Sequence, residues 1–348
     1  FFGVIYDTGS VSSLHAIAAA REQLTDLRIR EKGMAGRTDL PQLRLYISEH
    51  THSSIDKAAL TLGLGMDGIR RIAVDENFAM QPQALRDAIA EDRQCGVRPF
   101  CVVATIGTTS TTAVDPVAEI ADICERENLW LHVDAAYAGP AAILPEMHRY
   151  FAGWQRADSI LINPHKWMFV PLDLSLLFTR KPDILRRAFS LVPEYLRTAH
   201  DEAVNYMDYS IALGRRFRAI KLWFVLRYYG VDGIAERLRY HIQLAHKLAA
   251  HIDAHADFEL VAPAPFSTVA FRARPAGVTD AETLNTLNRH LLERINSTRR
   301  FFLTHSKIDT RYFLRIAIGN IRTEWRHVEQ VWQLVKKKLN ELLAKDAY

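Results

Sequence analysis

Cysteine is scarce: Cys95, Cys101 and Cys124 are the only three in a chain of 348 residues. The count is odd and no two stand as Cys-x-x-Cys, which argues against a disulfide framework and against a zinc site. A reducing, cytoplasmic compartment fits best. Long apolar runs are also missing. None reaches the roughly 18 residues that span a bilayer, and the longest uncharged run, Pro99 to Val114, is nearly half Thr, Ser and Gly. No membrane partner is therefore expected. Charge of one sign is equally lacking: 44 Lys and Arg against 40 Asp and Glu leave a net +4. Spread over this length, that is too weak for a nucleic-acid surface. No charged-then-apolar leader opens the chain. It begins without Met at Phe1-Phe2-Gly3-Val4-Ile5-Tyr6, which reads as the interior of a fold and raises the expectation of a further upstream segment.

What is present is an ordinary globular balance, 49% hydrophobic and 24% charged, long enough for about two domains. Up to about residue 180, short β-rich runs alternate with amphipathic ones. Strands are expected at Leu43–Ser48, Ile69–Val74, Phe100–Thr105, Leu129–Val133, Ser159–Ile162 and Leu174–Phe178. Helices are expected at Ser10–Arg30, Ser54–Leu62, Pro82–Asp92 and Pro116–Glu127, the last with Asp115 as N-cap. Several strands are apolar on consecutive positions, as in a parallel sheet covered on both faces. The alternation predicts an α/β domain. A helical pattern from Gly214 ends at Gly230; beyond it, helices at Gly233–Ala254, Asp280–Asn296 and Glu324–Leu343 flank strand-like runs at Phe258–Val261, Thr268–Arg272 and Tyr312–Ala317. The expected division is a large mainly parallel domain over 1–220 and a smaller α+β domain over 221–348.

The stretch richest in chemistry is His132-Val133-Asp134-Ala135-Ala136-Tyr137-Ala138-Gly139, with Lys166 further on in Asn163-Pro164-His165-Lys166-Trp167. An Asp at a strand's carboxyl end projects into the crevice where open α/β sheets bind ligands. A Lys beyond a neighbouring strand end can enter the same crevice. Taken singly, Asp134 also suits an ordinary loop acid and Lys166 a solvated surface lysine. Taken together they suit pyridoxal 5'-phosphate, which needs a Lys for its Schiff base and an acid beside its pyridine nitrogen.

These residues, with Thr51-His52-Ser53-Ser54, Asp75-Glu76-Asn77-Phe78-Ala79-Met80, Val103-Ala104-Thr105-Ile106-Gly107-Thr108-Thr109 and Leu213-Gly214-Arg215-Arg216-Phe217-Arg218, give a chain that resembles the pyridoxal-phosphate-dependent (group II) decarboxylases of the aromatic-L-amino-acid decarboxylase type. The resemblance runs from Gly3 to the last helix and implies fold type I. It implies that Thr8, Gly9 and Ser10, at the start of the first helix, bind the cofactor phosphate with Asn163 and His165, although Val11 stands where the family usually has an acid or amide. It implies that His52 stacks on the open face of the ring, with Ala136 on the other face, and that Thr109 bonds near the ring's phenolic oxygen or the substrate carboxylate. His50, two residues from His52, would point the same way in a strand; the choice of His52 rests on Ser53-Ser54.

The segment Leu191–Thr198 resembles the family's catalytic loop, in which Tyr195 matches the tyrosine that returns a proton to Cα. Gly214 matches a position where Gly leaves room for a bulky aromatic side chain. Arg215 to Arg218 are read as a helix start near a subunit boundary. The implied activity is decarboxylation of tryptophan, 5-hydroxytryptophan, dopa or tyrosine to the amine and carbon dioxide, by a homodimer with its site at the subunit boundary. The alternatives are an aromatic acetaldehyde synthase using the same cofactor, and a non-catalytic homologue serving as a binding subunit. In the family, an N-terminal helical segment wraps the partner and completes the pocket; without it, this chain is expected to expose apolar surface and to be poorly soluble or inactive.

Overall fold

The computed structural model describes residues 1–191 and 204–345. They form two compact units: residues 1–106 with 114–230, and residues 107–113 with the chain from Val231 onward. The first unit holds seven strands: β1 (Phe2–Tyr6), β2 (Leu43–Ser48), β3 (Ile69–Ile72), β4 (Arg98–Thr105), β5 (Trp130–Asp134), β6 (Ser159–Ile162) and β7 (Ser175–Thr179). Their order across the sheet is β1-β7-β6-β5-β4-β2-β3. β2 to β6 pair in parallel, whereas β7 runs antiparallel to both β6 and β1. The two reversals cancel, so β1 points the same way as the parallel strands. The carboxyl ends of β1, β2, β4, β5 and β6 therefore open at one end of the sheet.

Helices α1 (Gly9–Glu22), α2 (Ile29–Lys32), α3 (Ser54–Thr61), α4 (Pro82–Gln94), α5 (Val117–Glu127), α6 (Pro164–Trp167) and α7 (Pro182–Phe189) fill the connections. The small side chains of Ala16, Ala19 and Ala20 let α1 lie close on Leu45, Val103 and Trp130, all buried in one core. Each large side chain so buried contributes about 1.5–3 kcal/mol.

Several expected bounds move. The helix read over Ser10–Arg30 ends at Glu22; a 3-10 turn at Thr25–Leu27 and a left-handed Arg28 (φ 50°) separate it from α2. β1 is a strand that the first residues did not announce. Asp115 does not cap α5, whose N-cap is Pro116. Its buried carboxylate instead accepts the backbone N–H of Met80 (2.8 Å) and of Thr105 (2.7 Å), and burial raises its pKa to about 6. The helix expected from Gly214 begins at Ala219. This helix, α8 (Ala219–Asp253), breaks at Gly230, whose φ of 64° suits glycine.

The second unit carries a four-stranded antiparallel sheet ordered β10-β11-β9-β8, made of β8 (Phe258–Leu260), β9 (Thr268–Ala273), β10 (Thr304–Ile308) and β11 (Arg311–Ala317). Helices α9 (Ala281–Asn296) and α10 (Trp325–Lys345) pack on it through Leu291, Ile295, Val335 and Leu339. Asp280 caps α9 by accepting the N–H of Thr283 (2.7 Å). β10 escaped the sequence reading because it is a mostly exposed edge strand with no alternating apolar face. Among the described residues no helix is long and apolar enough to cross a membrane.

His15 joins α1 to the segment that precedes α8. Its ring lies between those of Tyr6 (4.3 Å) and Phe189 (4.4 Å). Nδ1 donates to the Val11 carbonyl (2.7 Å), while Nε2 accepts the N–H of Ile211 (3.2 Å). Only the neutral ring can do both, and burial holds its pKa down at about 4. Because the folded value lies below the unfolded one, this stabilisation is present above about pH 6.5 and is lost as pH falls toward 4. In denaturant titrations, His15→Gln should lose up to about 3 kcal/mol less than the parent over that interval.

Candidate active site

Asp134 is the last residue of β5 and is 5% exposed. Its carboxylate accepts the N–H of Ala136 (3.0 Å), which folds the chain sharply back after the strand. The backbone N–H of Asn163, just past β6, donates to the Ala136 carbonyl (3.0 Å), and that of Ala135 donates to Leu161 (3.0 Å). The loops after β5 and β6 are thus bonded together. Lys166 follows on the short α6, with its N–H on the Asn163 carbonyl (2.9 Å) and its side chain exposed. The next residue, Trp167, is fully buried and stacks on Tyr137 at 5.0 Å, which locks the lysine's turn onto the loop that carries Ala136.

At the end of β1, Thr8 is the N-cap of α1 in extended conformation, and its side chain makes no capping bond. The first helical bond is from the N–H of Ser12 to the Thr8 carbonyl. The first-turn amides therefore keep their capacity for an anion, reinforced by the helix dipole. Gly9 lies against Asn163: a Cβ there would come within 2.6 Å of the Asn163 Nδ2. Asn163 is itself 2% exposed and its Oδ1 has no hydrogen-bond partner.

Nδ1 of His52 accepts the backbone N–H of Ser54 (3.1 Å) and bonds the Ser54 hydroxyl (2.9 Å). The proton of the neutral ring is therefore on Nε2. Partial burial lowers the His52 pKa, the Lys166 ammonium lowers it further, and the Asp134 carboxylate opposes both. His52, Lys166 and Asp134 thus share one electrostatic environment. His50 lies in a turn beyond β2, edge-on to Phe78 at 5.4 Å. Nδ1 of His165 accepts the N–H of Leu174 (3.0 Å), and burial followed by Lys166 lowers its pKa.

One end of the first unit's sheet therefore gathers Thr8, Gly9, Ser10, His52, Asp134, Ala136, Asn163, His165 and Lys166. Thr109 is exposed and belongs to the second unit. Gly214 is exposed, with no atom of the described residues within 4 Å of where a Cβ would stand. Tyr195 lies outside the described residues. His132 went unnoticed in the sequence as anything but strand. It sits two residues before Asp134 on the same sheet face, fully buried, with Nδ1 on the Ser159 hydroxyl (2.8 Å), which also receives the indole N–H of Trp130 (2.9 Å). Burial holds its pKa at about 4. The i, i+2 spacing was the available signal.

The chain matches the pyridoxal-dependent decarboxylase conserved domain over residues 2–274. It belongs to the pyridoxal-dependent decarboxylases. Tryptophan decarboxylase TDC1 of Camptotheca acuminata is 41% identical to it over 307 residues, 87% of this chain and 61% of that protein. The chain thus spans less than two thirds of that relative. Phenylacetaldehyde synthase of Arabidopsis thaliana is 39% identical, over 99% of this chain and 69% of that protein. The crystal structure of Oryza sativa TDC with PLP and tryptamine superimposes with a TM-score of 0.91 at 36% identity, covering 98% of this decarboxylase-family chain and 70% of the other. The fold is the type I arrangement that the sequence led one to expect. Within this decarboxylase domain, Ser54→Ala would remove a donor that favours neutral His52, so the His52 pKa should rise in a histidine NMR titration. An unchanged midpoint would show that the Ser54 hydroxyl does not donate to Nδ1.

Proposed function

We propose that this chain is the cofactor-binding body of an aromatic-L-amino-acid decarboxylase that uses pyridoxal 5'-phosphate, with tryptophan, 5-hydroxytryptophan, dopa or tyrosine as the substrate class. The observation that carries the reading is the buried Asp134 and the exposed Lys166 on loops bonded to each other at one sheet end. The uncapped α1 and the close approach of Gly9 to the Nδ2 of Asn163, an N–H donor, suit a phosphate beside them. The residues present thus fit the group. Bound there, pyridoxal phosphate would supply an electron sink for the bond broken at the substrate Cα.

The protein's own groups do the rest. Lys166 would supply the amine that holds the cofactor, and Asp134 would hold a proton at the pyridine nitrogen through a charge-assisted bond. The backbone amides of Gly9 and Ser10, with Thr8 beside them and with Asn163 and His165, would hold the phosphate; the Thr8 amide itself donates to the Asp7 carboxylate (2.7 Å). His52 covers one ring face with a neutral imidazole, and Ala136 is small enough to leave the other face accessible. Thr109 bonds near the phenolic oxygen or the substrate carboxylate, and Gly214 leaves space for a bulky aromatic side chain. Tyr195 donates a proton to the substrate Cα after carbon dioxide leaves, and its loop excludes water.

We infer a cytoplasmic homodimer. The free thiols Cys95, Cys101 and Cys124 fit a reducing compartment. Leu213, Phe217, Trp223, Phe224 and Tyr228 are 53–81% exposed on one short stretch of the first unit; large exposed apolar side chains mark an interaction surface, read here as the one for a second copy. The second reading is an aromatic acetaldehyde synthase, favoured by the 39% identity to one. Retention of both His52 and Tyr195 favours simple decarboxylation.

Incubating the full chain with pyridoxal phosphate, reducing with borohydride and mapping peptides should place the label on Lys166. Given a panel of aromatic L-amino acids, the complete protein should form amine and carbon dioxide in equal amounts without peroxide. Aldehyde with peroxide would select the synthase instead. Absence of any label on folded protein would overturn both. Gly9→Ala, which drives a methyl group into Asn163, should weaken pyridoxal phosphate binding by about tenfold or more while the unmodified pyridoxal aldehyde is affected less.

A further inference from the structure

The loop from Met168 to Leu174 connects the Lys166 turn to β7, and its two ends are held differently. At the near end the N–H of Met168 donates to the Pro164 carbonyl (3.1 Å). At the far end the N–H of Leu174 donates to Nδ1 of His165 (3.0 Å). Between them, Asp173 receives a two-pronged contact from Arg218, Nε to Oδ1 at 3.2 Å and Nη2 to Oδ2 at 3.0 Å. Lys221 adds its ammonium to the carbonyls of Asp173 (2.6 Å) and Pro171 (3.2 Å). The side chains of Arg218 and Asp173 are 15% and 26% exposed, and this pairing with Arg218 holds the Asp173 pKa down at about 2.

The same short segment also reaches β1. Arg215, three residues before Arg218, donates to the Ile5 carbonyl and lies over the Tyr6 ring at 5.4 Å. Ile5 and Tyr6 end β1 and lead through Asp7 into Thr8. Residues 215–221 thus bond to the strand that feeds the phosphate-facing amides and to the loop behind Lys166. Neither contact is made by a residue proposed to touch cofactor or substrate.

We propose that Asp173, Arg218 and Lys221 are positioning residues that, with Arg215 bonded to β1, set the spacing between Lys166 and the amides of Gly9 and Ser10. This rests on the cofactor reading above. Arg218 is suited to the task because its planar fork fixes both the position and the angle of the carboxylate, which a lysine cannot do. A displacement of about 1 Å at a reacting group costs on the order of 10²-fold in rate, so a loop latch of this kind acts on turnover without touching substrate.

The test uses the full chain carrying Arg218→Gln, Asp173→Asn, both together, and Arg218→Lys. Without cofactor, chymotryptic cleavage at Phe169 and Leu172 should run about tenfold faster in the first three. With pyridoxal phosphate, kcat should fall by about 10²-fold with KM changed much less, and the pH midpoint of the bound-cofactor absorbance should move. The double variant should be no worse than either single one, and Arg218→Lys should recover part of the loss. Unchanged kcat and absorbance midpoint with only a lowered Tm would overturn the proposal, as would singles whose effects multiply in the double. A parent chain that takes up no pyridoxal phosphate sinks the cofactor reading instead. The latch is then decided by the cofactor-free cleavage, faster in Arg218→Gln supporting it and unchanged overturning it.

Discussion

The antiparallel strand β7, placed between β6 and β1, governs where chemistry can occur in this fold. A strand that merely extended the parallel array would have needed a crossover to bring the start of the chain alongside it. By reversing direction twice, the sheet brings the end of β1 to the same side as the ends of β5 and β6. The uncapped start of α1, the carboxylate of Asp134 and the turn bearing Lys166 consequently face a common space. Each comes from a different part of the chain, and each depends on that shared strand direction.

Around this space the protein maintains neutral imidazoles beside fixed charges. His52 and His165 each use Nδ1 as an acceptor of a backbone N–H, which fixes the tautomer and leaves Nε2–H as the outward donor. His132 lies beneath Asp134, neutral by burial. Desolvation is the leading cause in all three cases, with the Lys166 ammonium reinforcing it at His52 and His165. Among these groups the positive charge lies on the lysine and not on the histidines.

Backbone bonds, not side-chain ion pairs, hold the central loops: Asn163 to Ala136, Ala135 to Leu161, and Lys166 to Asn163. Ion pairs appear one layer out, at Asp173 with Arg218 and Lys221. Such pairs have a directional geometry and are only partly exposed, so they contribute orientation more than bulk stability. The tight packing of Trp167 on Tyr137 supplies the apolar counterpart of the same constraint.

Much of this was legible in the residues. Apolar runs marked five of the parallel strands and Pro82 the start of α4, because burial on both faces and a fixed proline φ leave direct traces in sequence. Asp134 and Lys166 stood out only as a pair: each alone suits a loop acid or a surface lysine, whereas an acid and a lysine at two strand ends suit one ligand's two anchors. Edge strand β10 left no such trace, β1 showed only as an apolar opening run that read as fold interior, and Asp115 looked like a cap while serving as a tie between Met80 and the end of β4. The roles of Arg215 and Arg218 were also invisible: a run of arginines reads as a helix start, and only the folded chain brings Ile5 and Asp173 to them. Local pattern determines which segments bury an apolar face; long-range pairing determines which polar atoms meet, because those partners are distant in the chain and carry no periodicity of their own.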